Sequence, residues 1–129
     1  MRLLIALAMT AGVVFAAAPA VAELPPQVYQ QAREGAGTVA VLRVQSVRRL
    51  PPGQTQGSCA LTGVITDVER GSAREGQTVV VAIPCISPAW EPRPGPFPGY
   101  RHDALGEAER VRVFMSGGVL VRRGLDILD

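Results

Sequence analysis

Apolar and polar positions follow a two-residue rhythm along most of this chain, and the breaks in that rhythm mark its elements. From Val39 to Leu42 the chain is continuously apolar, and alternation sets in through Val44. This predicts a strand over 38–47 that is buried on both faces at its start. Two β-branched runs, 58–69 and 77–86, flank a stretch rich in Gly, Ser and charge, the pattern of a hairpin with a longer loop. Gly63 interrupts the first of them, where a bulge or sharp bend is expected. Residues 109–115 alternate cleanly with Val111 and Val113 inward. Ser116, Gly117 and Gly118 then turn the chain into a fifth run, 119–128, broken near Gly124. Ahead of the strands, residues 25–35 predict a short helix. Proline stands in its first turn, Gly35 ends it, and Val28, Tyr29 and Ala32 form a narrow apolar stripe.

The hairpin holds the chain's two cysteines, Cys59 and Cys85, at the far ends of its runs. Setting Val68 opposite Thr78 puts Leu61 opposite Cys85 and Cys59 opposite Ser87. The sulfurs then stand one or two positions out of register, a gap that a bulge absorbs. A disulfide is the expected state. A metal site would need CxxC spacing or histidine partners, and neither is present. Closing a loop of about 25 residues stabilises a small domain by roughly 3 kcal/mol.

Between 86 and 103 the rhythm fails altogether. Pro88, Pro92, Pro94, Pro96 and Pro98 alternate with aromatic and charged residues. That density of missing N–H groups rules out a ladder and predicts a long loop with polyproline II character. The loop carries Trp90, Arg93, Phe97, Tyr100, Arg101 and His102, including the chain's only tryptophan and only histidine. Residues 104–107 predict a short turn.

Composition changes this picture in two places. Met1 and Arg2 precede an almost wholly apolar stretch to Ala18, and Ala20-Val21-Ala22 has the small-x-small form of a signal-peptidase site. Residues 1–22 therefore predict a signal peptide and 23–129 a single exported domain, periplasmic or secreted. No later apolar run is long enough to leave a stable membrane span. The formal net charge is +2, with every basic side chain an arginine. With no basic cluster, nucleic acid is not an expected partner. The absence of lysine points to a GC-rich, bacterial origin.

Five antiparallel strands, one of them bent at a glycine, suit a small barrel of the oligonucleotide/oligosaccharide-binding (OB) type. A two-sheet sandwich, which normally needs about seven strands, is the runner-up. The order of features also resembles a known superfamily. A short helix precedes 38–44, a strand ends at Val68, Glu69, Arg70 and Gly71, and residues 75–81 follow. A cysteine and a loop come next, then Gly106, the run 111–114 and a glycine-containing last strand. This is similar to the netrin-like OB modules of the tissue inhibitor of metalloproteinases superfamily, bacterial exported versions included. The animal inhibitors chelate their target's zinc through an N-terminal cysteine. Here the mature chain would begin at Glu23, and the first cysteine lies inside the second strand. The resemblance therefore implies the fold, while inhibition does not follow from it.

Catalytic chemistry finds little support. His102 has only Asp103 beside it, and Ser87 and Ser116 sit in no nucleophile motif. Asp67, Glu69 and Glu75 are interleaved with Arg70 and Arg74, as in solvated ion pairs. No phosphate loop or dinucleotide fingerprint is present, and no cofactor is expected. Two readings remain for a monomeric module. In one, the 87–103 loop contacts a protein or cell-envelope component, with Trp90, Phe97 and Tyr100 offering contact area. In the other, those aromatics fold back and plug the barrel end, leaving a purely structural accessory domain.

Overall fold

The computed structural model describes residues 24–129; the expected signal peptide lies outside them. The elements in order are α1 (Pro26–Glu34), β1 (Thr38–Arg48), β2 (Gln56–Arg70), β3 (Thr78–Ile86), β4 (Tyr100–Arg101), α2 (His102–Glu107), β5 (Arg110–Ser116) and β6 (Val119–Ile127). The strands form one curled sheet in the order β4-β3-β2-β1-β5-β6, a half-barrel. All pairs are antiparallel except β3 with β4.

Five long strands were expected and are present. The sixth, β4, is a two-residue strand that pairs Tyr100 with Cys85 and Arg101 with Ile86. It forms because the Pro-rich loop ends beside the strand it left. The expected turn at 104–107 is the last four residues of α2, whose Leu105 is fully buried. β3 and β6 stand near the two ends of the sheet and approach one another, with no ladder between them among the described residues.

Inward-facing residues of the long strands make the core: Leu42 from β1, Cys59 and Leu61 from β2, Val81, Ile83 and Cys85 from β3, Val111 and Val113 from β5. The β3 burial pattern alternates strictly, as a strand with one wet face must. Residues 39–42 are buried without a break, in agreement with their apolar run.

The hairpin register differs from the expected one by four residues. Val64, not Val68, stands opposite Thr78; Leu61 faces Val81, and Cys59 faces Ile83. The loop causes the shift. Gly76 donates to the Ile65 carbonyl at 2.7 Å and Ile65 donates to Gln77 at 2.9 Å, so the turn closes at Ile65. Beyond it, β2 continues alone to pair with β1. The cysteines remain two positions apart in register and on the same inward face. They are joined as a disulfide with Cα atoms 5.9 Å apart. Gly63 sits where β1 and β2 slip register beside Val44. A Cβ at Gly63 would lie 3.0 Å from the Arg43 carbonyl oxygen.

Candidate functional site

Where β6 crosses β5, Met115 pairs with Leu120 but Val113 pairs with Leu125, so residues 121–124 bulge out opposite Phe114. Arg123 takes a left-handed backbone, φ 48°. Next to it, a Cβ on Gly124 would lie 2.7 Å from the Phe114 carbonyl oxygen. This bulge, the break expected near Gly124, turns the Arg123 side chain toward α1 and the Pro-rich loop. Its guanidinium lies between two rings, 4.7 Å from the centroid of Tyr29 and 4.5 Å from that of Phe97.

Helix α1 is fastened across the same place. Arg33 makes a bidentate pair with Asp126, at 3.0 and 2.9 Å, and its Nε donates to the Arg123 carbonyl at 2.9 Å. Its guanidinium also covers the Phe114 ring at 4.6 Å. From the other side, Nη1 of Arg70 donates to the carbonyls of Arg33, Glu34 and Ala36. A cation thus occupies the C-terminal end of the helix, where unpaired carbonyls and the helix dipole favour one.

The six loop residues grouped by the sequence separate into three sets. Phe97 and Tyr100 pack edge to face with centroids 5.0 Å apart and belong to the α1–β6 cluster. The Leu125 N–H donates to the Tyr100 hydroxyl at 3.1 Å. Burial pushes the phenol's pKa above its usual 10.0, with that hydrogen bond acting in the opposite direction. Arg101 and His102 serve local structure. Arg101 pairs with Asp103 at 2.6 Å, which lowers the pKa of that carboxyl, and Nδ1 of His102 accepts the Leu50 N–H at 3.3 Å. Trp90 and Arg93 form the third set, with the guanidinium 5.6 Å from the ring.

Backbone contacts separate the loop's front from its return. At its start, Ser87 donates to Thr55 at 2.9 Å and Trp90 donates to Ser87 at 3.0 Å. At its return, the Gln56 side chain donates to the Pro98 carbonyl at 3.2 Å. Gly99 is buried with φ 133°, and a Cβ there would lie 2.6 Å from the Cys85 nitrogen. No other residue type allows so close an approach to β3. Between these anchors the chain from Pro88 to Pro96 is mostly exposed, and Trp90 is half-buried.

Beside the Phe97–Arg123–Tyr29 stack is a cavity of about 440 Å³, walled by Leu24, Tyr29, Pro84, Pro96, Phe97 and residues 120–123 of β6. Tyr29, Arg33, Phe114, Arg123 and Asp126 were not singled out from the sequence as site residues. Their one visible signal is the break near Gly124, which marks the bulge but not what it faces. No group of three or more His, Cys, Asp or Glu among the described residues could hold a metal ion. No described helix is long and apolar enough to cross a membrane. Comparison with protein-family models, curated proteins and solved structures finds no match for this chain.

Proposed function

We propose that this chain is an exported binding module that contacts a protein or cell-envelope component through the front of its Pro-rich loop. The observation that carries the reading is the division of that loop. Its return is anchored through Phe97, Gly99 and Tyr100, while residues 88–95 are mostly exposed and carry Arg93 over a half-buried Trp90 whose indole nitrogen is itself covered. Prolines hold such a segment extended before it binds, so less ordering entropy is lost on contact. Tryptophan and arginine are the side chains that most often dominate binding surfaces. The disulfide fits an oxidising compartment.

We read the half-barrel as a partly open OB-type barrel of the netrin-like kind. The facing β3 and β6 edges and the short helix before β5 support that reading. The plugging alternative is favoured by Phe97 and Tyr100, which lie on the α1–β6 cluster, so the two readings claim different halves of the loop.

Replacing residues 88–95 with a Gly/Ser segment of equal length tests the proposal, as does Trp90→Ala. Native mass spectrometry of protein gently isolated from its own exported fraction is expected to show a discrete added mass that both variants lose. Their unfolding free energy should stay within about 1 kcal/mol of the parent's. A Trp90→Ala loss of about 3 kcal/mol or more, with no added mass on the parent protein, overturns the proposal in favour of a structural loop.

A further inference from the structure

The cavity beside Phe97 is walled on the loop side by Pro96 and Phe97, and its lining says what it would accept. Leu24, Pro84, Pro96, Phe97, Leu120 and Val121 make it mostly apolar, and among the described residues its only charged walls are Arg122 and Arg123. Its volume, about 440 Å³, is within the range of pockets that hold small ligands.

Backbone chemistry at its rim narrows the choice. A peptide laid along the free edge of β6 would need that edge's N–H and C=O groups. Two of them are already taken by side chains: the Arg123 carbonyl accepts from Arg33, and the Leu125 N–H donates to Tyr100. Across the cavity, β3 presents Pro84, which has no N–H. An inserted peptide would bury its own polar groups against partners already engaged, a costly arrangement. A hydrocarbon chain has no such groups to satisfy.

We propose that this cavity binds a single-chain carboxylate amphiphile, its acyl chain against Leu120, Val121, Pro84 and Phe97 and its carboxylate at Arg122. Arg122 is exposed at the rim, where a head group can stay hydrated on one side while its chain lies in the half-open cavity. The Tyr29–Arg123–Phe97 stack forms the wall beneath it.

The test is calorimetric titration of the purified protein with decanoate below its micelle-forming concentration, and with methyl decanoate as the uncharged comparison. One-site binding of decanoate is expected. Arg122→Gln should weaken it about tenfold, the scale of one charge-assisted hydrogen bond, and leave the ester within about twofold. Val121→Glu, which puts a like charge and extra bulk into the wall, should abolish decanoate binding, with retention of the fold checked by circular dichroism. Absence of binding overturns the proposal. So does binding that neither variant alters, since that places decanoate elsewhere on the molecule. Replacing residues 88–95 leaves every wall of the cavity in place. Decanoate binding that survives this replacement separates the fate of the site from that of the loop.

Discussion

The interior of the sheet and the seam between α1 and β6 hold this molecule together by opposite means. In the interior, Leu42, Leu61, Ile83 and Val111 are fully enclosed by one another. In the seam, Arg33, Arg123, Asp126 and four aromatic rings pack together, with the Arg33–Asp126 pair about one-third exposed. The interior gains from apolar area withdrawn from water, a term that salt and pH barely touch. The seam gains from guanidinium stacking and charge-assisted hydrogen bonds, which are directional and partly screened. The first sets how stable the domain is; the second sets where its helix and loop sit.

Four measurements would break or sharpen that contrast. Truncating the interior should cost most. Leu61→Ala is expected to lower the unfolding free energy by about 2–5 kcal/mol, and by the same amount in low and in 1 M salt. Next comes the pair Cys59→Ser with Cys85→Ser, expected to cost about 3 kcal/mol in chemical denaturation. Reducing agent should then leave the double variant unchanged while destabilising the parent.

In the seam, Arg33→Met keeps much of the side-chain bulk but loses the Asp126 pair and the donors to the Arg123 carbonyl. About 1–2 kcal/mol is expected, less than for a buried pair because both partners are about one-third exposed. Added salt should lower the parent's stability toward that of the variant. If the Arg33→Met cost were insensitive to salt, the seam would be held by packing alone and the contrast would fail.

The smallest effect belongs to Tyr100→Phe, about 1 kcal/mol for the lost acceptor of the Leu125 N–H. It also carries a pH signature. The folded phenol's pKa stands above 10.0, so the neutral form is favoured in the folded protein. Its contribution is full below the unfolded value and is lost as pH rises through 10 toward the folded one. An alkaline fall in stability in the parent, diminished in Tyr100→Phe, is the expected result.

Much of the interior could be read along the chain because its partners are close in sequence or share one period. Alternation located Val111 and Val113, and the continuous run at 39–42 announced a strand covered on both faces. The hairpin and its disulfide followed from two β-branched runs and two cysteines. Register did not. The loop folds back to Ile65, and the residues that close it have no pattern that separates a long loop from a longer strand. The seam was less legible still. Arg33 and Asp126 are 93 positions apart, and an arginine on a helix reads first as solvated. The loop's aromatics were recognised as a group, but the sequence could not show that Phe97 and Tyr100 turn inward while Trp90 remains at the front.

That separation of 93 residues has a consequence for how the molecule is made. Helix α1 leaves the ribosome long before the strand that supplies Asp126 and the Arg123 carbonyl exists. Until then its nine residues have no partner on β6, and so short a helix is marginal alone in water. Arg70 of β2 reaches the C-terminal end of the helix earlier, so what waits for β6 is the Asp126 pair and the Arg123 carbonyl. Full protection of the α1 backbone against hydrogen exchange would mark completed chains and distinguish them from shorter ones that already hold the first hairpin.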